Sequence, residues 1–395
     1  MDKLKTLLND KLGGFQKDEY LIIALVCSLF LHFVIPIVLL IGIVIYLGIK
    51  KRLIPIIQEV PRAKFALAFC IITSIVALFY KNYLGALCGV GFTFIFLFIF
   101  YYRTIINKRL FYTILELCCI LSLISVFWSI FQYIGICNRN NLNVFDFKIL
   151  NKPENRIFAG FFNANYYAMF LEFVILICVY RMIQIKHLLQ AKYYIGIALC
   201  NMIALYFTGC RTAWVPFLVT VPFMFLINKC WAYLGLSLSG IVGGIGLVVS
   251  QPELFQRMTL GQDMNKRMLI WETAIKGIKA HPLLGEGPLT YYQIYPLYNG
   301  HPTQHAHSVY LDPFLSHGII LVLVFAVYLG SNMKQVYYLW KRKIDIQLFS
   351  LIGGFILTVL IHGLLDYTIY WVQTALLFLF VISSSSMYFR TNKVD

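Results

Sequence analysis

Apolar segments follow one another almost without pause along this 395-residue chain, and that succession limits its fold more than any other feature. A helix crossing a bilayer needs roughly 20 apolar residues. Such stretches are read near residues 20–33, 34–49, 64–80, 83–102, 110–134, 157–180, 193–209, 212–228, 231–249, 308–330, 346–366 and 368–388. Hydrophobic residues make up 60% of the chain and charged residues 13%, whereas an ordinary soluble domain is about 25% charged. The expected fold class is therefore all-α: a polytopic integral membrane protein of about 12 transmembrane helices, with one large extracytoplasmic loop between the ninth and tenth. Residues 1–19 would be a cytoplasmic N-terminal segment, 20–249 helices one to nine and 250–307 the loop. Helices ten to twelve would occupy 308–388, and 389–395 would be a cytoplasmic tail.

The first two segments form one long apolar run. Pro36 splits it into a short hairpin in this reading, because a proline interrupts the helical hydrogen-bond ladder; a single tilted helix is the alternative. Leu4, Leu7, Leu8, Leu12 and Phe15 recur at helical spacing in the polar N-terminal stretch, which suits a helix lying on the inner membrane face.

The net charge of +16 resembles a nucleic-acid signal until its placement is considered. With the N-terminus inside, most Lys and Arg fall in short connections on the cytoplasmic side, such as Lys50-Lys51-Arg52 and Lys341-Arg342-Lys343. That bias is how membrane topology is marked, and no nucleic-acid partner is expected. The basic residues left outside are Lys81, Arg139, Lys148, Lys152, Arg156, Arg211, Arg257, Lys266, Arg267, Lys276 and Lys279. Positive charge kept outside against the usual bias points to an anionic ligand there.

The loop near 251–307 holds several of these residues. Met268, Trp271, Ile275 and Ile278 share one helical face, so 265–280 reads as an amphipathic helix on the outer membrane surface. His281-Pro282 ends it, and Gly285 and Gly287 mark a turn. His307 stands where the loop meets the next span. A neutral imidazole there can accept a proton near neutral pH; a structural histidine bonded to backbone is the competing reading. His301, His305 and His307 lack a recognisable zinc spacing and no HExxH occurs, so no metal is expected.

Arg211 sits alone in a short turn between two spans, where it either snorkels to phospholipid headgroups or lines a cavity. Two arginines, Arg211 and Arg267, present forked donors that suit a diphosphate better than lysines do. Arg156 and Asn165 begin another span and could contact sugar hydroxyls, with helix capping by Asn163 as the alternative. Asp366 lies one turn after His362. Either the two pair with each other structurally or they belong to a functional site. Glu116, Glu172, Asp312 and His317 are further ionisable residues within spans.

These residues together resemble the O-antigen ligase and polymerase family of bacterial envelope glycosyltransferases. The resemblance is carried by Arg156-x-x-x-Gly160 with Asn163-Ala-Asn165, by Gly209-Cys210-Arg211-Thr212-Ala213-Trp214, and by Arg267-x-x-x-Trp271 leading to Pro282-x-x-Gly285-x-Gly287. His305-Ala-His307-Ser308-x-Tyr310-Leu311 and the closing His362-Gly-Leu-Leu-Asp366 complete it. Ser308, His317 and Cys210 stand where the family usually has Asn, often Glu, and Ser respectively.

The resemblance implies transfer of a glycan from a polyprenyl-diphosphate-linked oligosaccharide donor to a glycan or lipid-core acceptor. The reaction would occur on the outer face of the bacterial cytoplasmic membrane, among membrane lipid, with no nucleotide sugar, metal or cofactor. His307 would be the catalytic base. Arg211, Arg267, Arg156, Asn165, His305, Trp271 and Asp366 would contact or support substrate. A flippase or transporter of lipid-linked sugar is the rival class; such proteins often show repeated halves, and none is evident here.

Overall fold

The computed structural model describes residues 14–389 apart from 146, 148, 149, 151, 186, 187 and 253–260. The helix expected in the first nineteen residues lies largely outside this set, as do the C-terminal tail from 390 and the outer cations Lys148 and Arg257. Among the described residues there are fifteen α-helices and no strand.

The first two are α1 (Lys17–Ser28) and α2 (Val34–Ile49), so residues 20–49 form two helices. The break falls at 29–33, and Pro36 sits in the first turn of α2, where its missing N–H leaves no bond unmade. A short α3 (Leu53–Glu59) turns away from α2 by 99°. Next come α4 (Ala63–Phe79), α5 (Tyr83–Ile105) and α6 (Lys108–Arg139), then α7 (Ala164–Gln184), α8 (Leu188–Phe207), α9 (Val215–Ile227) and α10 (Trp231–Ser250). The remainder are α11 (Gly261–Ala280), α12 (Thr290–Ile294), α13 (Asp312–Lys341), α14 (Ile346–His362) and α15 (Val372–Ser383).

Five helices, α5, α6, α7, α10 and α13, are long and apolar enough to cross a membrane, and α2 with α3 makes a sixth as a bent pair. Several of the twelve apolar segments are shorter as helices than as sequence, because turns interrupt them. Residues 156–163 are irregular, for example, and α7 starts only at Ala164.

The core is built around α7. Nearly every residue from Ala164 to Ile183 is buried, as expected of a helix apolar all round. Asn163 caps it by accepting from the amides of Asn165 and Tyr166 at 2.8 and 3.1 Å. This fixes the first turn, which carries Asn165. In contrast α10 rests against α9 and has no buried residue.

α11 covers the helix expected over 265–280, and two faces of it are occupied differently. Ile270 and Ala274 are buried, packing with Tyr291, Ile294, Ala306 and Leu315, while Met268 and Ile275 are exposed. Trp271 and Ile278 of the face read from periodicity pack against the same cluster, so α11 turns one side to α12 and α13 and leaves Met268 and Ile275 outward.

The turn after α11 locks into a broken helix. Gly318 interrupts α13 with φ +62°. The amides beyond the break find carbonyls on the turn: Ile319 donates to Pro282 at 2.9 Å and Ile320 to Leu283 at 3.0 Å. Gly287 donates in return to the Ser316 carbonyl at 2.8 Å. Irregular backbone is tolerated at membrane depth where protein satisfies it in this way. A Cβ on Gly285 (φ +61°) would lie 2.5 Å from the Ser316 carbonyl, and one on Gly318 would lie 2.4 Å from the Leu283 carbonyl carbon. Gly285 of the Pro282-x-x-Gly285-x-Gly287 motif therefore allows close approach to α13, and Gly287 (φ +93°), where a Cβ would lie 2.5 Å from that of Ala77, allows close approach to α4.

Gly285→Ala is expected to lower the unfolding midpoint in detergent by about 2 °C or more, since both the positive φ and the contact oppose it. Gly243→Ala on α10, with open space around it, is the control and should leave the midpoint unchanged or slightly raised.

Candidate active site

His307 is held in a left-handed backbone conformation, φ +46°, which a non-glycine residue adopts only when its surroundings impose it. Several contacts do so. Its amide donates to Nδ1 of His305 at 3.3 Å. On one flank the Ala306 amide donates to Oδ2 of Asp312 at 2.7 Å, and on the other the Val309 amide donates to the Gly363 carbonyl at 2.8 Å. The loop is thus tied to the start of α13 and to the end of α14.

The imidazole lies on a line of polar groups. Nδ1 of His307 is 2.8 Å from Oδ1 of Asp366, and Nε2 is 3.0 Å from the Thr303 hydroxyl. A carboxylate partner fixes Nδ1 as the protonated nitrogen and leaves Nε2 as the acceptor. Asp366 is 2% exposed and His307 23%, so the carboxylate is sealed while the ring stays reachable.

Asp366 also accepts from the Tyr367 amide at 2.8 Å and from Nδ2 of Asn165. Burial pushes its carboxyl up, but His307, followed by His305 and His362, more than reverses this and holds it well below the ordinary carboxylate range. The line continues from Oδ1 of Asn165 to a guanidinium nitrogen of Arg156, whose Nε donates to the Thr208 carbonyl at 2.8 Å.

His305 stands behind His307. It is buried, its Nε2 is 3.4 Å from the Tyr166 hydroxyl, and its Nδ1 takes the His307 amide. Tyr166 in turn stacks flat on Trp371 with ring centroids 5.0 Å apart. Burial, then the neighbouring His307 and Arg267, lower the His305 pKa to about 3 against the opposing pull of Asp366. This ring is neutral at working pH, and both its nitrogens are engaged within the protein.

Arg267 on α11 is therefore close enough for its charge to act on His305. Its Nη1 and the Nε1 of Trp271, one helical turn on, are buried donors with no hydrogen-bond partner among the described residues. Arg211 is half-buried and precedes the 3-10 turn Thr212–Trp214 that leads into α9. That turn belongs to the same region, because Thr208, which receives Arg156, also accepts from the Cys210 amide at 3.1 Å through its hydroxyl.

His362 and Asp366 do not pair with each other. His362 bonds to Glu172 on α7 at 2.8 Å, both fully buried, and Asp366 bonds to His307. Thr303 is a site neighbour that the sequence did not single out, and Asp312, noted only among the ionisable residues within spans, is another. A hydroxyl four residues before His307, and an Asp-Pro opening a helix, are the faint signals for them.

His305, His307 and Asp366 also bring three potential ligand atoms within 4.8 Å of one another. In this structure those atoms serve hydrogen bonds to Tyr166, Thr303, Asn165 and each other.

Residues 196–326 match the family described as O-antigen ligase. The matched stretch, about a third of the chain, contains Arg211, Arg267, Trp271, His305 and His307. No curated protein matches the chain. The O-antigen ligase match and the apolar helices support a bacterial membrane protein with a glycan-transfer role in surface polysaccharide synthesis. They imply lipid-linked oligosaccharide and acceptor glycan as its substrates. The resemblance drawn from the sequence motifs agrees with this match.

The lowered Asp366 carboxyl carries a sign. A group whose folded pKa lies below its unfolded value, near 3.9, contributes fully above that pH and less as the pH falls toward the folded value. The parent's unfolding midpoint should therefore drop more steeply below about pH 4 than that of Asp366→Asn, measured by thermal unfolding across pH.

Proposed function

We propose that the protein transfers a glycan from a polyprenyl-diphosphate carrier to an acceptor hydroxyl. In this reading the bundle crosses the membrane about twelve times, as the apolar segments suggest, and the site opens on the extracytoplasmic face. The observation that carries the proposal is the line Asp366–His307–Thr303: a carboxylate, an oriented imidazole and a hydroxyl. Thr303 occupies the direction from which an acceptor hydroxyl would approach Nε2.

His307 takes the proton of that hydroxyl as its oxygen attacks the anomeric carbon of the donor sugar. The bond from that carbon to the phosphate oxygen breaks, and its electron pair leaves with the diphosphate. Arg211 and Arg267 hold the departing charge. The buried, unpartnered Nη1 of Arg267 supports this role, and Trp271 Nε1 is a second donor one turn away. Arg156 and Asn165 act one step back, since their polar atoms are committed to Thr208, Asp366 and each other. His305 likewise supports His307 from behind. No metal enters this chemistry, because the imidazole supplies the base and the arginines the positive charge.

His307→Ala should cut turnover to a small residual rate while the protein still inserts in the membrane, read as surface polysaccharide in cells or as turnover in liposomes. Undiminished product would remove the role. Arg211→Lys should lose most activity, since a point charge does not replace the guanidinium fork; near-parental turnover would indicate headgroup contact instead. Prolonged chelation with EDTA should leave turnover unchanged, and loss restored by one particular divalent ion would give His305, His307 and Asp366 to a metal.

A further inference from the structure

A second buried carboxylate–imidazole pair, Glu172 with His362, is not used by the transfer chemistry. Oε2 of Glu172, in the middle of α7, is 2.8 Å from Nδ1 of His362 at the end of α14. The other carboxylate oxygen, Oε1, is buried with no partner among the described residues, so Glu172 is committed to His362. Burying such a pair is costly unless geometry repays it. Its partners indicate what the geometry secures.

With Nδ1 engaged by Glu172, Nε2 of His362 faces the Thr212 hydroxyl at 3.3 Å, and the same ring is hydrogen-bonded by the Cys210 side chain. Thr212 Oγ1 is in turn 3.3 Å from the Cys210 thiol. These two residues flank Arg211. On the chain's other side, Thr208 is held by Arg156 through its carbonyl and caps the Cys210 amide through its hydroxyl. The Arg211 turn is thus anchored at both ends.

The two anchors join. Arg156 leads through Asn165 to Asp366, which follows His362, the last residue of α14, by four residues. One short segment therefore holds His307 through Asp366 and the Arg211 turn through His362.

We propose that Glu172 and His362 are positioning residues that, through Thr212, set the Arg211 turn at a fixed separation from His307. The proposal rests on the reading that Arg211 holds the leaving diphosphate. Removing the link loosens the backbone turn that carries Arg211 while the base stays in place. The deficit then falls on the step in which the glycosidic bond breaks, and acceptor binding is unaffected.

The test uses the purified full-length chain in liposomes, with a polyprenyl-diphosphate-linked oligosaccharide as donor. Thr212→Val, which keeps the shape and deletes the hydroxyl, should lower kcat about 10- to 100-fold. The acceptor KM, the unfolding midpoint and the pH profile should stay as in the parent. Thr212→Ser should restore most of the rate. Adding Thr212→Val to His362→Asn should cost no more than His362→Asn alone, because His362→Asn already removes the contact to Thr212. If His362→Asn does not fold, the Thr212 pair decides.

Parental kcat in Thr212→Val, or Thr212→Ser as slow as Thr212→Val, overturns the proposal. So does a loss explained entirely by the amount of folded protein. If Thr212→Val is fully active and Arg211→Lys is dead, the positioning fails while the transfer reading survives. If Arg211→Lys also turns over at the parental rate, the role of Arg211 fails with it.

Discussion

A carboxylate sealed from solvent, Asp366, ties this structure together. It accepts from the ring of His307, the side chain of Asn165 and the amide of Tyr367. These partners come from the loop before α13, from the first turn of α7 and from the turn after α14. A buried carboxylate without such donors would be strongly disfavoured; with them it fixes the meeting of three distant stretches of chain. The imidazole it orients is the group best placed to move a proton.

The loop that delivers His307 is held from its far side by a device of another kind. The break in α13 at Gly318 frees amides that only the turn at 282–287 satisfies. The turn in turn needs Gly285 to come that close, while Gly287 lets it approach Ala77 on α4. Docking the turn sets where α11 lies, and α11 carries Arg267 and Trp271 toward His305. A loop laid over a membrane bundle becomes part of a site because its backbone completes a helix.

Much of this is legible from residue types and spacing, and the limits have physical causes. The helices follow from apolar length, and the break between α1 and α2 follows the proline signal to within a few residues. The apolar face of α11 is legible as a period, but the burial of Ile270 and Ala274 is not, because it answers to α12 and α13, contacts that no local period encodes. His362 and Asp366, a turn apart, look like natural partners, yet each is drawn to a residue far away, Glu172 and His307. Arg156 reads as a ligand-facing cation because sequence cannot show that Thr208 and Asn165 occupy it. Thr303 carries almost no signal, since a loop threonine has many uses. The charge anomalies find the region; pairing within it is long-range and needs the fold.

That Asp366 acts through His307 is the claim on which the rest depends, and a kinetic double-mutant cycle tests it most directly. Turnover would be measured for Asp366→Asn, for His307→Ala and for the two together. The account predicts that Asp366→Asn alone slows kcat about 10-fold or more, and that the double variant is no slower than His307→Ala. Losses that multiply across the cycle, or Asp366→Asn at the parental rate, would contradict it.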